Sequence, residues 1–200
     1  CVNAHSHAFQ ILLRGQSDGA KNFSDWVDRQ LYPLALRLTE KELHASARMA
    51  FREMLQNGIT TVGEFFYIHN APRTFRRLGT AYDEVIIDAA RAEGIRLVLL
   101  RAMYDSTYRE GQKRFYEPAA EARQNIQALM KRHADDPLVA VRPAPHSLHG
   151  ASEEMIRAGA ELARAWGAPY HIHLAEKRSD RDFAQKRFGT TPLRALKKMG

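Results

Sequence analysis

Val2-Asn3-Ala4-His5-Ser6-His7-Ala8-Phe9-Gln10 reads as a strand that delivers two histidines to one place. Alternate side chains of an extended chain share a face, so His5 and His7 point the same way, roughly 6.6 Å apart along the backbone. Two imidazoles so placed can share one metal ion. Val2 and Ala4 face the other side, and the Ala8-Phe9-Gln10 run is expected to leave the strand as a loop bordering a substrate.

Outward from this strand, helices and strands alternate. After a loop from Gly15 to Asn22, Phe23-Ser24-Asp25-Trp26 opens a short helix expected to end near Pro33. Thr39-Glu40-Lys41-Glu42 is a capping box, and Leu43, Ala47, Ala50, Phe51, Met54 and Leu55 follow at helical spacing until Asn57-Gly58. Ile59 to Tyr67 is β-branched and aromatic, which marks a second strand. A helix over about Ala81 to Ala92 leads to a continuous apolar strand, Ile95 to Leu100, of the kind buried on both faces of a parallel sheet. A helix from about Ala119 to His133 precedes a strand that opens at Leu138 and reaches His146. Ser152 caps a helix running to Trp166, Tyr170-His171-Ile172-His173-Leu174 is read as the fifth strand, and helices near Asp180 to Phe188 and Pro192 to Met199 close the chain.

Strands alternating with helices mean a parallel α/β architecture. An open doubly wound sheet and part of an eight-stranded barrel compete. No glycine-rich phosphate fingerprint follows the first strand, and polar residues gather at the C-terminal ends of successive strands: His5 and His7, Glu64 and Tyr67, Tyr104 and Asp105, His146, then His173 and Glu176. In a barrel those ends meet at one mouth, where such folds keep their chemistry.

Composition narrows the function. The 200 residues, 44% hydrophobic and 26% charged, suit one ordinary globular domain. No apolar run approaches membrane-spanning length and no signal-peptide pattern opens the chain, so a cytoplasmic protein is expected. The formal charge of +7 comes from Lys and Arg scattered among acidic partners rather than from a basic stripe, which argues against nucleic acid; an anionic small molecule is the expected partner, and a solvated basic surface is a still simpler source of the charge. With Cys1 as the single cysteine, a metal site has to rely on histidine and carboxylate.

The second histidine cluster, His171-Ile172-His173-Leu174-Ala175-Glu176, again puts two imidazoles on one strand face, and one of them can complete the site begun by His5 and His7. A carboxylate beside metal-bound water, without being a ligand, is placed to carry a proton from that water to a leaving nitrogen.

These stretches, together with Ala144-Pro145-His146-Ser147-Leu148, resemble the amidohydrolase superfamily, specifically its aminohydrolase branch of deaminases and iminohydrolases, and most closely the formimidoylglutamate deiminases. The resemblance covers essentially the whole chain. It implies a (β/α)8 TIM barrel, of which residues 1–200 cover roughly strands 1 to 5, with one divalent metal, usually zinc. His5, His7 and His173 would be ligands and Glu176 the proton shuttle. Gln10, Tyr67 and His146 would face the substrate, and Arg29 is the nearest counterpart of an arginine that binds a substrate carboxylate. The expected reaction is hydrolysis of a C=N or C–N bond with release of ammonia, in histidine breakdown if the substrate is formimidoylglutamate. A homodimer is the expected assembly of the full-length protein.

Two departures bear on this. His149 stands where the family carries an arginine that grips the substrate's carboxylate, and an imidazole cannot reproduce a bidentate guanidinium. The family's sixth-strand histidine and eighth-strand aspartate would fall beyond Gly200, so the chain is expected to be an internal section of a longer enzyme, inactive by itself and without the small β domain. The alternative substrates are purine, pterin or triazine rings, with Phe66 or Tyr67 for stacking. A non-catalytic relative is the alternative of another class. Among the other polar residues, His44 and His133 are expected to be solvated and His171 to be structural. His69 and Glu64 are open between supporting and incidental roles, and Arg101 and Arg142 between substrate binding and internal pairing.

Overall fold

The computed structural model describes residues 1–16, 19–106 and 109–199; Ser17 and Asp18, within the expected loop from Gly15 to Asn22, lie outside the described residues. Strands β1 (Val2–Ser6), β2 (Thr61–Phe66), β3 (Arg96–Met103) and β4 (Val139–Pro145) form one sheet in the order β1-β2-β3-β4, each neighbouring pair parallel. This order decides between the two α/β versions. A doubly wound sheet reverses its strand order at a switch point, whereas a barrel adds each new strand to the same side of the last, as here.

The helices are α1 (Phe23–Trp26), α2 (Tyr32–Arg37), α3 (Glu40–Gln56), α4 (Ala81–Glu93), α5 (Ala119–Arg132), α6 (Glu153–Ala165), α7 (Arg178–Phe188) and α8 (Pro192–Met199). α3, α4 and α5 lie in the crossovers that join successive strands. The expected capping box closes at the start of α3: the Thr39 side chain accepts from the Glu42 amide, and the Glu42 carboxylate takes the Thr39 N–H at 2.8 Å. Leu43, Ala47 and Phe51 are the buried stripe of α3, and full burial of a side chain such as Phe51 contributes about 1.5–3 kcal/mol. α4 ends on Gly94, whose φ of 79° is the left-handed conformation that closes a helix.

Four expectations are corrected. Tyr170 to Leu174 is not a ladder strand: it runs beside β4 through the His171 amide to the Pro143 carbonyl and the His173 amide to the His146 carbonyl, with a single bridge between Ser147 and His173. Its composition is strand-like, but two bonds to β4 do not make a ladder. Ala8 to Leu13 is a 3-10 helix rather than a loop. The helix begun at Phe23 does not end near Pro33, because a wide π turn over Val27–Leu31, in which the Tyr32 amide reaches back to the Val27 carbonyl, absorbs the missing N–H of proline and lets α2 run to Arg37. His133 is buried, not solvated: its Nε2 lies 3.1 Å from Glu84 and its Nδ1 3.2 Å from Arg91. His44 is half-buried on α3.

Between sheet and helices sits a buried ion network. Arg101 of β3 gives its Nε to Asp83 of α4 at 2.9 Å and its two terminal nitrogens to Glu117 at 2.6 and 2.9 Å, while Asn125 of α5 donates to the same Glu117 carboxylate at 2.7 Å. Arg101 is therefore internally paired. Removing one partner of such a cluster strands the remaining charges in a dry interior. Arg101→Met is expected to lower stability by about 3–5 kcal/mol, read as a fall in the urea unfolding midpoint; an unchanged midpoint would show the network to be incidental.

Candidate active site

The site begins with a misfit between β1 and β2. Asn3 pairs with Val62 but Ser6 pairs with Glu64, so β1 carries one extra residue. The bulge pushes the Ala4 carbonyl against Gly63, where a Cβ would lie only 2.5 Å from that oxygen. Glycine is the residue that fits. The extra residue aims His5 and His7 at one point, His7 being the first residue past the strand.

There three imidazoles converge. His5 Nε2 is 3.1 Å from His7 Nε2 and 3.0 Å from His173 Nε2, and the three ligand atoms all fall within 4.8 Å of one another. A tetrahedral ion with bonds near 2.0–2.1 Å needs neighbouring nitrogens about 3.3 Å apart. His7 Nδ1 sits 2.9 Å from the Phe65 carbonyl, to which it can only donate, so Nε2 is left with the lone pair that a ligand requires. Burial, followed by the nearby His173 and His171, lowers the pKa of His5 to about 4; burial lowers His7 to about 3 and His173 to about 4. All three rings are thus neutral at physiological pH, the state that binds metal. Among the described residues His173 Nδ1 is buried without a hydrogen-bond partner, and the Phe65 ring lies 4.2 Å from the His173 ring between centroids. The donor set fits a divalent ion.

His171 belongs to the support of this cluster. Its Nε2 is 3.1 Å from His5 Nδ1, on the opposite edge of the ring from the shared point. Past His173 the chain turns sharply at Ala175, a non-glycine residue at φ 56°, which brings Glu176 to the rim of the same cavity. Strain of this kind costs about 1–3 kcal/mol and collects at functional sites. Burial, then the neighbouring Asp180, raises the pKa of Glu176 above the ordinary carboxylate range, which suits a group that holds a proton in transit.

The cavity, about 490 Å³, gathers His5, His7, His173, Glu176, Gln10, Tyr67, His146 and His149 of the expected residues. A larger groove of about 910 Å³ beside β1 reaches only His7 of the three imidazoles. Gln10 donates to the Tyr67 hydroxyl at 2.8 Å, and burial pushes the Tyr67 pKa up, so the phenol stays protonated. The Gly150 amide donates to Ser147 Oγ at 3.0 Å, which frees the Ser147 proton for His146 Nδ1, also 3.0 Å away. His146, held neutral by burial and the adjoining His173, then presents Nε2–H as a donor. His149 lies 3.6 Å from Asp180, but burial lowers its pKa, so it supplies no fixed cation.

Some expectations fall elsewhere. Arg29 is paired with Asp25 at 2.6 Å, its side chain 69% exposed, and it does not line the cavity. The π turn that carries the chain past Pro33 also carries Arg29, so its position could not be read from residue spacing. Phe66 is fully buried away from the cavity, edge-on to His69, whose Nε2 bonds the Ala102 carbonyl. Glu64 takes the Ala8 amide at 2.7 Å and so fixes the turn after His7, not a ligand ring. Arg142 bonds the Val141 carbonyl at 2.8 Å. Sequence reading missed Tyr32, Arg109, Gln112, Phe115 and Lys177, all lining the cavity. The available signal was position: Arg109 to Phe115 follow β3, and loops after barrel strands form the mouth.

A model of the amidohydrolase family matches residues 1–200. The chain is 25% identical over 199 residues to a 5-methylthioadenosine/S-adenosylhomocysteine deaminase of Syntrophobacter fumaroxidans, covering 100% of this chain and 41% of that protein. Among solved structures it matches an amidohydrolase from Brucella melitensis at TM-score 0.88 and 28% identity, covering 100% of this chain and 46% of the other. It also matches the fold of an adenosine deaminase from Xanthomonas campestris with bound zinc at TM-score 0.82 and 23% identity, over 100% and 41% of the two chains. The chain thus spans about two fifths of the length of the curated relatives it matches.

The geometry separates the two fifth-segment histidines. His173→Ala is expected to abolish tight zinc binding in competition with a chelator, whereas His171→Ala, which removes only the support behind His5, is expected to weaken it about 10- to 100-fold. Equal losses from both would contradict the assignment.

Proposed function

The chain belongs to the amidohydrolase family, and from that premise we propose that it is the metal-holding section of a hydrolytic deaminase that releases ammonia from a C–N or C=N bond of a small molecule. The observation that carries this reading is the convergence of the His5, His7 and His173 Nε2 atoms in the same cavity that Glu176 borders. The curated relatives named as deaminases, which match over the full chain, support it.

His5, His7 and His173 would hold a divalent ion, zinc by analogy with the Xanthomonas relative, which when bound would act as a Lewis acid and lower the pKa of water to about 7. Glu176 takes the proton of the attacking water and delivers it to the departing nitrogen, and its raised proton affinity suits both halves of that task. His146 Nε2–H steadies the negative charge that grows during attack. Gln10 and Tyr67, bonded to one another, orient the substrate without titrating.

The specific substrate we favour is N-formimidoyl-L-glutamate, converted in the cytoplasm during histidine breakdown; its support is the Ala-Phe-Gln and Ala-Pro-His-Ser-Leu stretches. The aromatic wall formed by Tyr67, Tyr104 and Phe115, with Phe115 edge-on to Tyr67 at 4.7 Å and to Tyr104 at 5.6 Å, favours a second reading, a planar aminated ring. Ammonia release by the intact protein from N-formimidoyl-L-glutamate and from 5-methylthioadenosine separates the two. With either substrate, Glu176→Gln is expected to keep the metal and lose about 10²- to 10⁴-fold in kcat. Full turnover in that variant would remove Glu176 from the mechanism, and an intact, folded protein that binds no metal would overturn the hydrolase reading.

A further inference from the structure

The cavity has two chemically distinct ends. Its floor is histidine. Its rim carries two fixed cations from different parts of the chain: Arg109, in the segment after β3, and Lys177, directly after Glu176. Among the cavity's lining residues Glu176 is the one carboxylate.

Neither rim cation is firmly committed. Arg109 pairs with Asp28 across the mouth, but both side chains are about half exposed, at 49% and 45%, and pairs in such surroundings contribute little. Lys177 lies over the Phe23 ring with its Nζ 4.6 Å from the centroid, and among the described residues it has no ion-pair partner. A cation on an aromatic face is held in place while its hydrogen-bond donors remain available. Arg109 is likewise positioned by its local fold: its amide donates to Gln112 Oε1 at 2.8 Å, and Gln112 in turn donates to the Tyr104 hydroxyl at 2.8 Å inside the cavity.

Of the expected substrate-binding positions, His149 has its pKa lowered by burial, and Arg29 faces Asp25 outside the cavity. We propose that Arg109 and Lys177 together form the anion subsite of this cavity, receiving a carboxylate at the end of the substrate remote from the scissile C–N bond. The assignment rests on the deaminase reading for the word substrate, though the subsite itself does not depend on turnover. An incoming carboxylate takes Arg109 from Asp28 and gains the ammonium of Lys177, while the rest of the molecule runs down past Tyr104 and Tyr67 to the imidazoles.

Glutarate, a dicarboxylate with no C–N bond, is the probe. Titrated calorimetrically into the intact, zinc-loaded protein, it is expected to bind, and Arg109→Gln and Lys177→Gln are each expected to weaken it about tenfold or more. Arg123→Gln, which alters a remote surface pair with Glu161, should leave binding unchanged. With a carboxylate-bearing amidine as substrate, the two rim variants should raise KM by a similar factor with kcat largely retained, and KM for formamidine, which has no carboxylate, should not rise. Failure of glutarate to bind, or binding indifferent to both substitutions, overturns the subsite. Glutarate binding that depends on both residues in a protein that releases no ammonia from any amidine or aminated ring supports the subsite and overturns the deaminase reading instead.

Discussion

Three imidazoles with their nitrogens turned toward one point make a donor set that a cation satisfies. His5, His7 and His173 bring their Nε2 atoms to 3.0 and 3.1 Å separations in surroundings that push every ring away from its protonated form. Burial outweighs the pull of Asp180 on His173, and the Phe65 carbonyl fixes the tautomer of His7. Much of the surrounding structure follows from holding them there. The β1 bulge needs Gly63, the turn after His7 needs the buried Glu64 carboxylate, and His5 needs His171 behind it.

The sheet supplies the platform and its outer side supplies rigidity. Parallel strands added in sequence put all their C-terminal ends on one side, so the site is built from the end of β1, the turn after β4 and the segment beyond α6. On the helical side, Arg101, Asp83 and Glu117 clamp β3 to α4 and to the stretch entering α5. That clamp and the cavity share an element: Glu117 ends the same loop whose Gln112 and Arg109 reach the mouth. A buried network on the helical side of the sheet therefore helps to position residues that line the cavity.

Much of this was legible in the sequence, because period and type of residue report directly on strands and caps. The Thr39 capping box, Gly94 as a helix stop and the His5-Ser6-His7 pair each carry a local physical signal, and each is found where that signal puts it. What escaped reading depends on non-local geometry. The segment from Tyr170 to Leu174 has strand-like composition but only two bonds to β4, and ladder formation depends on neighbours that composition does not reveal. Arg29 was displaced by a π turn, a feature with no simple sequence mark. Arg109 and Lys177 look like ordinary surface charges until the fold brings the loop after β3 and the turn at Ala175 to one rim.

The central claim is that His5, His7 and His173 are ligands to one divalent ion. X-ray absorption at the zinc edge of the intact protein, reconstituted with one equivalent of zinc, tests it most directly. The account predicts a first shell dominated by imidazole nitrogens at about 2.0–2.1 Å, and loss of that shell in a His5→Ala, His7→Ala variant. A shell made only of oxygen, or one unchanged in the double variant, would contradict it.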